Sequence, residues 1–154
     1  NKPIPLKLAI PLLEAASLED DDYLQEMWAM LLVNSTVQNS DFELRRMYIE
    51  ILEQITSFEA KVLNTIYTLP YKEVLHQIIL INALPTSVEV YKKEVRMGSL
   101  PEPSDEVKLA LLNLNRLNCI EITRSMGGGQ LFQGLNQTLL GKNFINACTI
   151  PPKK

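Results

Sequence analysis

The residues that most often perform catalysis in proteins are scarce in this chain. Of its 154 residues, one is a histidine (His76) and two are cysteines (Cys119 and Cys148). A reactive thiol needs a neighbouring histidine or basic group that lowers its pKa, and neither cysteine has one beside it in sequence. One histidine and two separated cysteines are also too few for a closed zinc site. We therefore expect all three residues to be structural.

Two further segments have compositions that can bind ions. The run Asp20, Asp21, Asp22 could hold a metal, but carboxylates in the first turn of a helix are also favoured by the unpaired amides and the helix dipole. The three glycines 127–129 suit either a phosphate-binding loop or a tight hairpin, and no lysine–serine pair of the phosphate-binding type follows them. We expect the three aspartates to lie at a helix start and the three glycines to form a hairpin turn. With the histidine and cysteines structural as well, we predict no catalytic residue, no metal ligand and no cofactor.

Charge is distributed unevenly along the chain. Residues 1–56 carry four basic and ten acidic side chains, a balance of −6, whereas residues 57–154 carry eleven basic and eight acidic ones, a balance of +3. A protein held by phosphates usually has a dense basic stripe, so the second part is weakly basic by comparison. The asymmetry predicts two parts: an acidic portion, 1–56, and a second domain, 57–154.

The cellular setting is constrained by hydropathy and cysteine content. No apolar stretch approaches the roughly 18 residues that cross a bilayer, and two cysteines fit a reducing compartment. We expect a soluble, cytoplasmic protein without membrane contact. Because the chain does not begin with Met, we also expect Asn1 to lie inside a longer protein.

The spacing of apolar residues predicts a mainly helical protein. The spacing of Leu6, Ile10 and Leu13, with Leu12 as a further candidate, predicts a first helix. Pro5 and Pro11 mean that it either starts late or is kinked at Pro11, where we expect a break. Further helices are predicted over residues 17–34, 42–55, 57–69, 86–97 and 104–118, with Gly98 as a C-terminal cap. Residues 71–84 fit a helix or, because of the isoleucine-rich run, a strand.

The last third of the chain predicts a winged-helix-like end. After the helix at 104–118 come a strand beginning at Cys119, the glycine turn, a second strand beginning at Gln130 and a helix over 138–148. The predicted architecture is mainly α, with the N-terminal helical portion packed on a C-terminal winged-helix-like domain that has a small two-stranded β-wing.

The helix at 104–118 has a predicted outward face that could contact a partner. That face consists of Asp105, Lys108, Leu112, Asn115 and Arg116. In a DNA-binding winged helix the first turn of this helix would meet the bases, but here it is Ser-Asp-Glu, which repels phosphates. The candidate nucleic-acid contacts of the alternative interpretation are Lys108, Arg116, Arg124 and Lys142.

Six segments carry a family resemblance that covers nearly the whole chain. They are residues 11–17 (PLLEAAS), 19–22 (EDDD), 24–32 (LQEMWAMLL), 50–55 (EILEQI), 58–63 (FEAKVL) and 138–148 (TLLGKNFINAC). In combination they resemble the abortive infection alpha family of bacterial proteins. The resemblance implies a bacterial origin and a link to phage defence, without an established mechanism or a catalytic set of residues.

These observations lead to a functional prediction with two alternatives. We expect a non-enzymatic interaction or regulatory module, whose acidic N-terminal helices and outward face at 104–118 bind a protein partner or a second copy of the chain. The first alternative is a winged-helix regulator that binds nucleic acid. The second is an enzyme with a site that the sequence does not show.

Overall fold

The computed structural model describes residues 2–37 and 41–150. Within them the chain forms six α-helices, one short 3-10 helix at Met97–Ser99 and four β-strands, so the expected mainly helical class is confirmed. The helices are α1 (Leu6–Ser17), α2 (Asp22–Thr36), α3 (Arg46–Glu53), α4 (Ser57–Ile66), α5 (Asp105–Arg116) and α6 (Leu139–Ala147). The strands are β1 (Ile79–Leu80), β2 (Glu89–Val90), β3 (Ile120–Arg124) and β4 (Gln130–Gln137).

The described residues divide into two compact units. Unit 1 contains those within Asn1–Ser57 and Asn143–Lys154, and unit 2 is Phe58–Lys142. The described residues 143–150 fall in the same unit as those of the N-terminal part.

Unit 1 is built on α1, α2 and α3, with α1 packed against both of the others. Asp21 caps the start of α2, because its Oδ1 accepts a hydrogen bond of 3.0 Å from the amide of Leu24. The acidic run thus marks a helix start, as predicted. The larger side chains that form the core include Leu12, Leu24, Met27, Trp28, Leu31, Ile49 and Leu52.

The expected break in α1 at Pro11 is wrong. The helix runs without interruption from Leu6 to Ser17 and contains Pro11. Proline lacks the amide that would bond to the carbonyl of Lys7. Because Lys7 is exposed in the first turn, water can satisfy that carbonyl, and the cost of the missing bond is small enough for the helix to continue.

Unit 2 contains a four-stranded antiparallel sheet in the order β2-β1-β4-β3. The two strands predicted after residue 118 form as β3 and β4, but β1 and β2 extend their sheet, so the prediction of only two strands is wrong. The strand alternative for residues 71–84 is confirmed at Ile79 and Leu80, which are buried and β-paired. Side chains of this kind are favoured in a half-buried sheet.

The predicted helix over residues 86–97 is also wrong. This segment forms turns and the two-residue strand β2, and the amide of Tyr91 bonds to the carbonyl of Ile78 at 2.8 Å. Gly98 lies inside the 3-10 helix rather than capping an α-helix. Valines at 88 and 90 suit a strand as well as a helix, and pairing with β1 decides between the two.

The segment from α5 to β4 forms the elements that the sequence predicts. Ser104 caps α5 by accepting a hydrogen bond from the amide of Val107, at 3.4 Å. The buried face of α5 consists of Val107, Ala110, Leu111 and Leu114. The glycine segment turns the chain between β3 and β4, with Gly128 at a positive φ of 89° that favours glycine.

Candidate functional site

The first predicted nucleic-acid contact, Lys108, has acidic and aromatic neighbours. Its ammonium group pairs with the carboxylate of Glu102 and lies 5.3 Å from the ring centroid of Phe132. The hydrogen bond that the ammonium group donates to Glu102 raises the pKa of Lys108. A phosphate would have to compete with this carboxylate for the ammonium group.

The two predicted arginines also bond within the protein. The guanidinium of Arg116 donates to Oδ1 of Asn113 at 2.7 and 3.1 Å. Arg124 donates to the carbonyl of Gly128 at 3.0 Å, which ties the end of β3 to the hairpin turn. Both side chains are exposed, so these bonds orient the guanidinium groups while leaving them accessible to solvent.

Lys142, the fourth candidate, lies over the ring of Tyr71, 5.5 Å from its centroid. Of the four cations, Arg124 alone lines the polar cleft of about 250 Å³ beside β3, whose other walls include Asn115, Asn118 and Thr138. Each of the four cations therefore has its own intramolecular contact.

In the predicted partner-contact face on α5, Asn115 connects the helix to a neighbouring strand. Oδ1 of Asn115 accepts a 3.0 Å hydrogen bond from the amide of Ile122, which joins α5 to β3. Asp105, Leu112 and Arg116 are exposed and Lys108 is half-buried. An apolar neighbour that the prediction missed, Leu109, is 67% exposed on the same helix.

The residues with catalytic potential are dispersed. Burial raises the pKa of the Cys119 thiol to about 12, which opposes formation of the thiolate at neutral pH. Cys148 is buried, and His76 is exposed at a positive φ of 66°. Among the described residues, no three His, Cys, Asp or Glu side chains come close enough together to hold a metal ion.

The most distinctive surface of unit 1 is a row of exposed apolar side chains along α1. Leu6, Ile10 and Leu13 are 75%, 53% and 55% exposed, and at the 3.6-residue period of a helix they fall within about 60° of one another. Leu12, the buried residue of α1, lies about 130° around the helix from their centre. We call Leu6, Ile10 and Leu13 the α1 stripe.

The sequence predicts that the three residues of the α1 stripe share one face of a helix, but it does not predict whether that face is buried or exposed. The spacing of Leu6, Ile10 and Leu13 located the helix correctly. Such a row is usually the face that a helix buries, yet α1 packs through the side that carries Leu12, with Leu8 and Ala15 half-buried. The row therefore faces solvent, where an apolar surface can take part in binding.

Charged residues border the stripe on one side. Lys7 and Glu14 are exposed and lie within about 20° of each other on the same flank of α1. Beyond Glu14, an open cleft of about 480 Å³ is lined by residues that include Glu19, Glu53, Arg46 and Trp28. The indole of Trp28 donates to Oε1 of Glu19 at 3.2 Å, so the buried tryptophan forms part of this acidic wall.

The comparison with known families identifies the chain's relatives. The sequence profile described as abortive infection alpha matches residues 1–148. The chain belongs to the abortive infection alpha family. No curated protein sequence and no solved structure matches it.

In this abortive infection alpha chain, the Thr-x-x-Gly segment at the start of α6 is structural. Oγ1 of Thr138 accepts from the amide of Gly141 at 3.0 Å and donates to the carbonyl of Asn118 at 2.7 Å. The hydroxyl of Tyr67 donates to the carbonyl of Cys119 at 2.7 Å and accepts from the amide of Thr138 at 3.0 Å. These bonds hold the start of α6 within unit 2.

The helices of this abortive infection alpha chain can also be compared with the length and hydropathy of a membrane-spanning helix. Within residues 2–37 and 41–150, no helix has both the length and the hydropathy that crossing a membrane requires.

Proposed function

We propose that this chain is a non-enzymatic interaction module of a bacterial phage-defence protein, acting in the cytoplasm through protein–protein contacts. The observation that carries the proposal is the α1 stripe, which exposes three large apolar side chains on the side of α1 away from Leu12. Covering a leucine or isoleucine side chain completely stabilises a complex by about 1.5–3 kcal/mol. A partner that covers the stripe would therefore gain appreciable binding free energy.

The outward face of α5 supports the same proposal more weakly. Leu109 and Leu112 are exposed there, with Asp105 and Arg116 nearby on the helix surface. Two apolar residues among charges resemble an ordinary surface more closely than the unbroken row on α1. We therefore assign the main contact to α1.

Photo-cross-linking in bacterial cells tests the proposal. A photo-reactive amino acid replaces Ile10 in one variant and Lys72, exposed in a turn of unit 2, in a control variant. We expect a covalent adduct of defined protein mass from position 10 and not from position 72, and an Ile10→Lys variant that folds normally but no longer protects cells from phage. If position 10 yields no adduct before or during infection, the proposed contact surface is wrong.

A nucleic-acid-binding regulator is the second candidate function. The observation that favours it is the order α5, β3, β4, a helix followed by a two-stranded hairpin, which is how a winged helix ends. Titration of duplex DNA with salt tests this candidate. It is removed if binding stays undetectable at low salt, and it replaces our first choice if binding with a steep salt slope is lost in an Arg116→Ala, Arg124→Ala double variant.

The proposal that the chain is not an enzyme has its own test. It is supported by the raised pKa of the Cys119 thiol. Metal analysis of the purified chain and a thermal-shift screen with metals and nucleotides would detect a hidden site. A stoichiometric metal, or a ligand that raises Tm by several degrees, would contradict the proposal.

A further inference from the structure

We propose that the partner of the α1 stripe is a second copy of this chain, packed with its α1 helix antiparallel to the first. This inference rests on the proposed function, because it names the occupant of the same surface. It follows from the positions of two charges beside the stripe.

Lys7 and Glu14 have opposite charges and lie on the same flank of the stripe. In an antiparallel pair of identical helices, each flank faces the same flank of the other helix, as the corresponding flanking positions of antiparallel coiled coils do. Lys7 of each copy then meets Glu14 of the other, which gives two equivalent ion pairs. The midpoint between the two residues lies beside Ile10, so Ile10 of both copies meets near the two-fold axis.

The apolar residues match the same arrangement. Around a two-fold axis near Ile10, the ends of the stripe exchange places, and Leu6 of one copy approaches Leu13 of the other. The same surface patch is used on both copies, which is the defining property of an isologous interface. The three side chains of each stripe, all more than half exposed in the single chain, become covered.

In a parallel arrangement, Lys7 and Glu14 would have no charged partner on the other helix. In a parallel pair, the flank with Lys7 and Glu14 would face the opposite flank of the other helix. That flank contains Ala9 and Ala16, both half-buried and neither able to pair with a charge. Charge complementarity therefore selects the antiparallel direction.

A lipid surface fits the stripe less well than a second copy does. Helices that lie on membranes have Lys and Arg along their polar face, which attract anionic headgroups. Here Lys7 is offset by Glu14, and the adjoining cleft has Glu19 and Glu53 on its walls. This side of α1 would be repelled by anionic lipid.

The size of the interface indicates a weak dimer. Helix α1 has 12 residues and is about 18 Å long. One such helix from each copy buries less than the roughly 1,200 Å² of a standard stable interface. We expect a dissociation constant between about 10 µM and 1 mM, so the dimer forms where the local concentration is high.

Charge exchange between the two positions tests the inference by analytical ultracentrifugation of the purified chain. Lys7→Glu places a second carboxylate against Glu14 of the other copy, and Glu14→Lys places a second ammonium group against Lys7 of the other copy. We expect each single variant to self-associate about tenfold more weakly than the wild type. The double variant regains wild-type association, and a mixture of the two single variants forms a heterodimer more readily than either forms a homodimer.

Two controls separate this result from general effects of charge and folding. Glu26→Lys changes an exposed charge on α2 and leaves self-association unaltered. Ile10→Lys abolishes self-association, while circular dichroism and the fluorescence of Trp28 show that every variant is folded. Both single substitutions at positions 7 and 14 are also favourable for the helix dipole, so loss of folding is not expected from them.

The outcomes distinguish self-pairing from the broader proposal. A wild-type chain that stays monomeric at the highest concentration, or association that ignores the charge exchange, overturns the antiparallel dimer. If position 10 nevertheless cross-links to a different protein in cells, the interaction function stands and its partner is not a second copy. If position 10 forms no adduct and the chain is monomeric, both proposals are wrong.

Discussion

The hydroxyl oxygen of Tyr67 lies in the space that a β-carbon on Gly141 would need. A Cβ built at residue 141 would be 2.1 Å from this oxygen and 2.0 Å from the carbonyl oxygen of Cys119. Both distances are far inside van der Waals contact, and a main-chain carbonyl in a strand connection cannot move aside cheaply. The close approach of α6 to these two oxygens therefore requires glycine at position 141.

We expect Gly141→Ala to destabilise the chain. In an ordinary helix interior this substitution stabilises by about 1 kcal/mol, but here the added methyl group forces α6 away from Tyr67 and Cys119. Overpacking of this kind typically costs about 1–3 kcal/mol. Urea unfolding followed by circular dichroism measures the change.

Gly98→Ala is the matched control for this prediction. A Cβ at residue 98 would meet nothing within 4 Å. We expect its free energy of unfolding to equal or slightly exceed that of the wild type. A Gly141→Ala variant as stable as the control would show that α6 can shift without cost, and the account of the Thr-x-x-Gly segment would be wrong.

Asn34 provides a second prediction, because it is a buried polar residue that caps a distant segment of its own unit. Its side-chain amide donates to the carbonyls of Ala147 at 2.9 Å and Thr149 at 3.1 Å. We expect Asn34→Ala to lower the free energy of unfolding by about 1–3 kcal/mol, since these carbonyls lose their donor. Asn34→Asp should cost more, because a carboxylate cannot donate and would face carbonyl oxygens at a negative helix end.

Trp28 makes this prediction easy to measure, because the only tryptophan of the chain is buried in the same unit as Asn34. Denaturation followed by tryptophan fluorescence reports the midpoint directly. Val33→Ala, at the exposed neighbouring position, should change stability by less than about 0.5 kcal/mol. Equal effects at 33 and 34 would show that the side-chain bonds of Asn34 contribute nothing measurable.

Alkaline pH is expected to destabilise unit 2. Burial raises the pKa of the Cys119 thiol from an ordinary 9.0 to about 12 and that of Tyr67 from 10.0 to about 12. The unfolded chain therefore releases these protons first as pH rises. The contribution of both groups to stability is complete below about pH 9 and is lost progressively between pH 9 and 12.

The measurement compares the pH dependence of unfolding in the wild type and in a Cys119→Ala, Tyr67→Phe variant. The variant loses the hydrogen bonds of Tyr67 and is less stable near pH 7. Its stability should nevertheless fall less steeply between pH 9 and 12, because neither residue can then titrate. Parallel pH profiles of the two proteins would rule out both groups as the cause.

Much of the fold could be predicted from the sequence where local signals agree with tertiary structure. The helix predicted over 104–118, the glycine turn and the start of α6 depend on local features, and each forms as expected. The secondary structure of residues 71–97 is harder to predict, because an apolar run such as 78–81 fits a helix and a strand equally well. The two strands in this segment, β1 and β2, have two residues each. Strands this short leave no alternating pattern that could be recognised in the sequence.

The candidate site could be predicted only in part, for a different reason. Periodicity shows that Leu6, Ile10 and Leu13 share one face of a helix, but it does not say whether that face is buried. The orientation depends on which side of α1 contacts α2 and α3, and this is decided by residues far away in sequence. Asn34 is similar, since its partners lie more than a hundred residues further along the chain.

Asn115 allows a structural role to be separated from a role in partner binding. Its Oδ1 accepts the amide hydrogen of Ile122, next to the irregular pairing of β3 with β4 between residues 122 and 124. We expect Asn115→Leu to cost about 1–3 kcal/mol, because the partly buried amide of Ile122 is left without an acceptor. Asn115→Asp keeps a side-chain oxygen at the same place and should retain most of the stability.

Leu112→Ala, an exposed change on the same helix, should cost less than Asn115→Leu. If the leucine and aspartate variants at 115 are equally stable, the bond to Ile122 is not what this residue contributes, and its place on the predicted partner-contact face becomes the better explanation.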